Sequence, residues 1–270
     1  MGSQALVFVL ASAVVHALWN MLLAGARDSR AATAVATAVG ALVLVPIVVA
    51  DWRFEREAVP FALSSAAIHV AYVLLLGIAY SRSALSLVYP VARGLSPVVV
   101  LVLAAIFGGL PGSVGIAGVV IVGVGVVGLR ALGRRGLVLG ALLGLTLGTI
   151  TTLDSHGIEH AGAAAYVLVI LGPSALVSVG LELARGKRAA LVHELGWRTL
   201  LAGVGFVSTY WLILLALRQA PAATVASVRE LSIVVAVALG AIVLREPVTR
   251  RRAAAACVVA LGAALAAAGA

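Results

Sequence analysis

Residues 93–97 of the chain read Arg-Gly-Leu-Ser-Pro, and residues 229–233 read Arg-Glu-Leu-Ser-Ile, 136 positions further along. The correspondence continues to Pro111 and Pro247, which are separated by the same 136 positions. At nearly the same offset, the first apolar stretch of the chain matches the sixth. These matches indicate an internal duplication, with a first repeat over residues 1–132 and a second over residues 133–270.

The composition indicates that both repeats lie in a lipid bilayer. Of the 270 residues, 63% are hydrophobic and 11% are charged, whereas soluble domains are about half apolar and about a quarter charged. A helix needs roughly 20 apolar residues to cross a bilayer. Ten stretches approach this length, at 4–24, 31–50, 60–80, 84–108, 113–130, 136–154, 161–182, 198–217, 222–244 and 253–269. No strand-like alternation recurs, so we expect an all-α polytopic membrane protein with ten transmembrane helices rather than a barrel.

Each repeat contains five of the predicted helices, and five is an odd number. The second repeat must therefore enter the membrane upside down relative to the first, which gives two inverted five-helix repeats. Inverted repeats place a substrate site near the middle of the membrane and support alternating access.

The positive charge is distributed unevenly between the two sides of the predicted bundle. The chain has 19 Lys and Arg against 10 Asp and Glu, a net charge of +9. Three cations, Arg53, Arg56 and Arg218, fall on one side, and fourteen fall on the other, in the loops near residues 27–30, 82, 130–135, 185–198 and 245–252. An excess of Lys and Arg marks cytoplasmic loops. We therefore expect an inner-membrane protein with both termini outside, and no nucleic-acid partner.

Two cations fit neither side. Arg93 and Arg229 lie within apolar stretches, where a charge costs roughly 2.5–3.5 kcal/mol on the insertion scale and marks a functional candidate. Adjacent helical residues do not face each other, so Glu230 is expected to pair with Arg93 across the repeats. One guanidinium would then remain to bind an anionic substrate in a bidentate manner. The alternative is that both arginines are paired internally and only hold the two halves together.

Other polar residues are predicted to line a cavity around these arginines. Pro90 and Pro97 flank Arg93 and predict an interruption of the fourth span, the alternative being a plain kink, and Tyr89 lies one helical turn before Arg93. The remaining candidates for the substrate-binding lining are His16, Asn20, Tyr72, Tyr210 and Asp154. Such residues supply donors and aromatic faces to a pocket, although they also serve as interhelical hydrogen bonds or interfacial anchors.

Three motifs suggest other chemistry. The sequence Gly-Val-Gly-Val-Val-Gly at 123–128 resembles a dinucleotide-binding turn, but no strand–helix unit follows it, so we interpret it as helix packing. The sequence His-Gly-Ile-Glu-His at 156–160 matches H-x-x-E-H and leaves open a membrane-embedded metal-dependent hydrolase. The segment 180–187 lacks the spacing of a P-loop. No cofactor is therefore expected, and an ion or substrate gradient would drive transport, including a proton gradient acting through Glu230 or Asp154.

Small residues repeat every four positions in two of the predicted spans. Gly136, Gly140, Gly144 and Gly148 share one face of the sixth span, and Ala256, Ala260, Ala264 and Ala268 share one face of the tenth. Small residues at this spacing allow helices to approach closely, so we expect both faces to be packed.

The chain resembles the EamA-type transporters of the drug/metabolite transporter superfamily. The resemblance rests on ten spans in two copies, His-Ala-Leu-Trp-Asn at 16–20, Leu-Arg-Glu-Pro-Val-Thr at 244–249 and glycine-rich fifth and tenth spans. It implies a non-enzymatic secondary active transporter that exports a small polar or amphipathic metabolite. Glu246 matches the acidic residue of the family's ninth span, whereas the fourth span ends without one.

A narrower resemblance rests on two short segments. Residues 16–20 together with Tyr-Pro-Val-Ala-Arg-Gly at 89–94 are similar to a subgroup of membrane proteins linked to phosphonate utilisation. An accessory membrane protein without transport activity of its own remains the third alternative.

Overall fold

The computed structural model describes residues 1–23, 25–82, 85–127, 134–242 and 249–270. Within these residues twelve α-helices account for the fold, and the expected all-α class is confirmed. They are α1 (Ser3–Leu23), α2 (Ser29–Ala50), α3 (Ala58–Arg82), α4 (Leu85–Phe107), α5 (Ser113–Val127), α6 (Arg134–Gly157), α7 (Ala163–Ala184), α8 (Arg188–His193), α9 (Trp197–Leu217), α10 (Ala222–Arg229), α11 (Leu231–Ile242) and α12 (Arg250–Ala268), with a 3₁₀ turn at Ile158–His160 between α6 and α7.

Every predicted apolar stretch overlaps a helix. In the described part of the chain, seven helical segments are long and apolar enough to cross a membrane, and α4, α5 and α12 contain shorter apolar segments. The short α8 was not expected, because it lies in the charged connection between the seventh and eighth stretches.

The predicted interruption of the fourth span is wrong. Helix α4 stays helical from Leu85 to Phe107, across both prolines, because neighbouring helices can satisfy the backbone groups that a transmembrane proline frees. A tight turn lies instead at Glu230, between α10 and α11. Its N–H donates to the carbonyl of Ser227 at 3.1 Å, and its own carbonyl accepts from Ile233 at 2.9 Å, so one tight turn separates α10 from α11.

Six pairings of helices build the bundle. Helix α2 packs against α7 and α5 against α12; α1 packs against α9 and α3 against α6; α2 packs against α9 and α3 against α7. Helix α4 additionally contacts α5 and α6, while the α10–α11 pair contacts α1 and α12. The interrupted helix and α4 are thereby brought together in the interior.

Glycines permit the closest helix contacts. A Cβ on Gly262 of α12 would lie 2.7 Å from the backbone nitrogen of Val122 in α5, and a Cβ on Gly144 of α6 would lie 2.9 Å from the carbonyl oxygen of Ala92 in α4. The glycine face of α6 is therefore packed as expected, at Gly144 and also at Gly148.

The alanine face predicted for the tenth span is wrong. In α12 the buried residues are Ala255, Val259, Ala263 and Ala266, whereas Ala264 and Ala268 are exposed. Gly262 decides this orientation, because its lack of a side chain lets that side of the helix approach α5.

Candidate functional site

The interior of the bundle contains an ion pair between α4 and the turn after α10. Arg93 Nε donates to Glu230 Oε2 at 3.1 Å, and the two side chains are only 6% and 3% exposed. The Nη2 of Arg93 also donates to the Ser232 hydroxyl at 3.3 Å. The predicted pairing of Arg93 with Glu230 is confirmed.

A small cavity adjoins this ion pair, with room for about one water molecule. Helices α4, α6, α9 and α10 surround it. Its lining is formed by Arg93, Ser96, Leu147, Thr151, Ile213, Val225, Ala226, Arg229 and Glu230. Arg93 and Arg229, which lie 136 positions apart in the sequence, therefore line the same cavity.

Arg229 and Glu230 lie at the tight turn between α10 and α11. Arg229 ends α10 and Glu230 precedes the first residue of α11. Glu230 keeps right-handed helical backbone angles, φ −65° and ψ −11°, so the two charges follow each other on a nearly continuous helical path.

A second buried acid lies on α6. Asp154 Oδ1 accepts a hydrogen bond from the Ser65 hydroxyl at 2.6 Å, and Oδ2 accepts one from the hydroxyl of Tyr210. The ring of His69 lies 5.6 Å from that of Tyr210, centroid to centroid. Asp154 lies one turn after Thr151, which lines the arginine cavity, so the second acid is adjacent to that cavity along α6.

His16 approaches the same region from α1. It interacts electrostatically with Arg93 and Arg229, and its ring meets that of Trp19 edge to face at 5.0 Å. Both ring nitrogens of His16 are buried and have no hydrogen-bond partner among the described residues. A buried polar group in this state calls for an explanation, such as a ligand or water.

Five predicted lining residues are not part of the cavity lining, namely His16, Asn20, Tyr72, Tyr210 and Asp154. Asn20 is exposed, and its amide nitrogen donates to the backbone carbonyl of His16 at 2.7 Å, within its own helix. Tyr72 of α3 contacts the ring of His69 at 6.3 Å and is not part of the cavity lining. The side chain of Tyr89 lies outside the described residues, as does Glu246.

Three hydroxyl-bearing residues at the site were not identified as candidates. Ser65 and Thr151 give no sequence signal, because hydroxyls are common in transmembrane helices and Thr151 also bonds the Leu147 carbonyl of its own helix. Ser232 contacts Arg93, and its occurrence at the position equivalent to Ser96 was a usable signal.

The H-x-x-E-H segment does not form the helix that a metal site of this kind requires. Helix α6 ends at Gly157 and the next residues form a 3₁₀ turn. The ring of His156 lies 5.7 Å from Phe61, while His160 Nδ1 contacts Glu55 Oε2 at 3.3 Å. Among the described residues, no group of three or more His, Cys, Asp or Glu side chains could hold a metal ion.

At one end of the bundle the α1–α2 loop contacts the α7–α9 connection. Glu194 Oε1 accepts from the backbone N–H groups of Arg27 and Asp28 at 3.0 and 3.1 Å. Asp28 caps α2, and Lys187 Nζ lies 3.5 Å from its Oδ2. The pKa of the Asp28 carboxyl is lowered, above all by the hydrogen bond from the Ala31 N–H.

The opposite end is closed by Arg218. Its Nε donates to the Ile158 carbonyl at 3.0 Å, and its Nη2 donates to the carbonyl of Ala161. Burial, and to a lesser extent the charge of Arg53, lowers the pKa of this guanidinium. Backbone bonds between the α2–α3 and α6–α7 connections reinforce the closure, including Gly162 N–H to Arg53 O at 2.6 Å.

Comparison with known proteins places this architecture in a family. No curated protein matches the chain. One solved structure, described as "Crystal structure of protein", has the same fold with a TM-score of 0.79 and 14% sequence identity, over 98% of this chain and 97% of that one. The model of the EamA-like transporter family matches residues 134–268, half of the chain. The resemblance noted in the sequence is thus confirmed, and the chain, a multi-pass membrane protein, belongs to the EamA-like transporter family.

Proposed function

We propose that this protein is a secondary active transporter that exports a small polar or amphipathic metabolite with an anionic group, by alternating access. The observation that carries the proposal is the charge of the buried site. Arg93, Arg229 and Glu230 line one cavity, so two cations meet one carboxylate. Two guanidinium groups that line one cavity supply planar, bidentate donors, which are suited to an anionic group.

The packing of the helices supports two inverted repeats, over residues 1–132 and 133–270. Exchange of the repeats converts the α1–α9 contact into the α6–α3 contact, and the α2–α9 contact into the α7–α3 contact. The same exchange converts the α2–α7 and α5–α12 contacts into themselves. All of these contacts occur, as a twofold axis in the membrane plane requires.

The closed ends of the bundle support alternating access. Glu194 closes one end and Arg218 the other, while the cavity between them has room for about one water molecule. This arrangement is what an occluded intermediate without cargo would look like. Transport then requires the two closures to open in turn.

The grouping of charges supports an inner-membrane orientation with both termini outside. Arg27 and Lys187 lie at the same end of the bundle, because each contacts the Asp28–Glu194 region. The amino group of Met1 bonds the carbonyls of Ala267 and Ala270, so the two termini lie together. By the positive-inside rule the end with Arg27 would be cytoplasmic.

A ligand screen on the purified protein tests the anion proposal. Thermal stability would be measured with amino acids, phosphonates, nucleosides and cationic drugs. We expect anionic compounds to raise the melting temperature of the wild type, and R229Q to abolish that rise. If cations stabilise the protein and anions do not, the proposal is wrong.

Flux assays in proteoliposomes separate transport from the alternatives. The compound that stabilises the protein in the screen should be transported by the wild type and by the H156A/H160A variant, which alters the H-x-x-E-H segment alone. Loss of activity in that variant would favour a hydrolase. Absence of flux in the wild type, despite binding, would favour an accessory protein.

A further inference from the structure

We propose that Asp154 is a proton-binding site coupled to the arginine cavity, so that the protein takes up one proton at Asp154 together with one anion at Arg93 and Arg229. The inference rests on the proposed function, because it concerns what moves with the anion. Since the proton and the anion would cross together, the proposed export would be driven by the gradient of the anion and would carry the proton outward. The inference also assigns the proton to Asp154 rather than to Glu230, whereas the sequence analysis left both acids as candidates.

The partners of the two acids differ in kind. Glu230 contacts the Arg93 guanidinium at 3.1 Å, and a guanidinium only donates hydrogen bonds and keeps its charge. The hydrogen bonds described for Asp154 come from the hydroxyls of Ser65 and Tyr210. A hydroxyl can donate to a carboxylate or accept from a carboxyl group. The surroundings of Asp154 therefore suit both of its protonation states, whereas those of Glu230 favour the ionised state.

Geometry and charge balance connect the two sites. Thr151, one turn before Asp154 on α6, lines the arginine cavity, and so does Ile213, one turn after Tyr210 on α9. With Asp154 ionised, the two arginines and two carboxylates among the described residues sum to zero, and an added anion would be unbalanced. A proton that binds a carboxylate oxygen of Asp154 leaves one net positive charge, which one anion then neutralises. Both states are neutral, so binding of the proton and of the anion must favour each other, and this linkage is reciprocal.

The other polar groups near Asp154 in the described part of the chain are hydroxyls, arginines and one histidine. The helices packed against α6 present Ser65 and His69 from α3, Arg93 from α4, Tyr166 from α7, Tyr210 from α9 and Arg229 from α10. His69 is buried, and its Nδ1 has no hydrogen-bond partner among the described residues. It contacts Tyr210 rather than Asp154, so a histidine variant serves as a separate test.

Asp154 also lies close to one end of the bundle. It is three residues from the end of α6 at Gly157, next to the closure formed by Arg218 and the Ile158 carbonyl. Opening of that closure would shorten the route from the solvent to the carboxyl group.

Infrared difference spectra of the full-length protein in detergent test the proton site without a ligand. As the pH is lowered, the wild type should gain the carbonyl stretch of a protonated carboxyl. The D154N variant should lack this band. The E182Q variant is the matched control, because Glu182 is equally buried but paired to Arg185 at 2.6 Å, and it should retain the band. A band that persists in D154N, or that disappears in E182Q instead, would overturn the proposal.

Binding of methanesulfonate, a monoanion throughout this pH range, tests the coupling. Wild-type affinity should fall by about tenfold per pH unit on the alkaline side, the slope for one proton taken up per anion. D154N, which mimics the protonated acid, should bind with an affinity that does not vary with pH. H69Q should keep the wild-type profile.

The outcomes separate the two proposals. Wild-type binding that is independent of pH, or a pH dependence that survives in D154N, refutes proton coupling at Asp154 and leaves the anion site intact. If methanesulfonate and the screened anions fail to bind the wild type, the anion site is refuted, and the infrared band alone decides whether Asp154 binds a proton. If D154N does not fold, Y210F replaces it, and removal of this donor to the ionised form should move the midpoint of the affinity profile to higher pH.

Discussion

Arg93 on α4 and Glu230 in the turn between α10 and α11 form an ion pair of 3.1 Å between the two halves of the chain. The same turn ends α10 at Arg229, so the break in the helix, the interhalf ion pair and the second arginine coincide. Helices that are interrupted within the membrane are typical of transporter sites, where the freed helix ends face the bound ions. Glu230 therefore belongs both to the turn between α10 and α11 and to the buried ion pair with Arg93.

Breaking the ion pair should destabilise the protein more than removing it entirely. R93M leaves the Glu230 carboxylate buried without this partner, a change that costs about 3–5 kcal/mol, whereas replacing both members of a buried pair by apolar residues is often neutral. We expect R93M to lower the melting temperature in detergent and R93M/E230M to recover most of the loss. Equal stability of the single variant and the wild type would show that the pair does not hold the halves together.

The same double variant separates stability from binding. If Arg93 contributes to the anion site, R93M/E230M should remain folded and still fail to bind the anions that stabilise the wild type. Recovery of both stability and binding would assign the pair a purely structural role.

The contact between α5 and α12 should not tolerate a side chain at Gly262. A Cβ there would lie 2.7 Å from the Val122 backbone nitrogen, so G262A must push the helices apart, and overpacking typically costs about 1–3 kcal/mol. Gly180 in α7 is the matched control, since nothing lies within 4 Å of its added Cβ. G180A should be neutral or stabilising, because alanine is the better helix former by about 0.5–1 kcal/mol. Melting temperatures that fall equally in both variants would contradict this account.

Much of the fold could be predicted because long runs of apolar residues indicate helices that span the membrane. The start of α2 lay within two residues of expectation and α9 ended at the expected residue. The break at Glu230 could not be predicted, because no glycine or proline marks it and its cause lies in the contacts of both neighbouring charges. The prolines of α4 predicted a break that does not occur, since neighbouring helices can satisfy the backbone groups that a proline leaves without a hydrogen bond.

The two arginines of the candidate site could be predicted because matching segments 136 positions apart both place an arginine within an apolar stretch. Arg93 and Arg229 stood out as charges in equivalent apolar surroundings, and the partner of Arg93 followed from helix geometry. The bonds from Ser65 and Tyr210 to Asp154 join residues 89 and 56 positions apart on three helices, and no local pattern encodes such a meeting. Asn20 was misplaced because a helical face shared with His16 does not reveal whether that face meets protein or lipid.

Removal of the Glu194 carboxylate should open the end of the bundle that holds the α1–α2 loop. Glu194 accepts two backbone N–H groups, those of Arg27 and Asp28, and E194A would leave both donors without this acceptor. We expect faster hydrogen–deuterium exchange at residues 25–30, while the loop at Ile158 on the opposite end is unchanged. E194Q retains an acceptor oxygen and should exchange more slowly than E194A. If the two variants exchange at the same rate as the wild type, Glu194 does not close this end.

The cap of α2 should make stability depend on pH in the acidic range. Asp28 accepts hydrogen bonds from the N–H groups of Arg30 and Ala31 at 3.1 and 3.2 Å, and these lower its pKa in the folded protein. A carboxyl whose pKa is lower in the folded state stabilises that state above its unfolded pKa of about 3.9, and the contribution is lost as the pH falls through the folded value. D28A should remove about 1 kcal/mol at neutral pH, the usual effect of losing such a cap, and less at low pH. D28N, which caps equally well without a charge, should keep most of the stability and lose the pH dependence. The melting temperatures of the three proteins between about pH 3 and about pH 7 would contradict this account if the wild type and D28N lost stability in parallel.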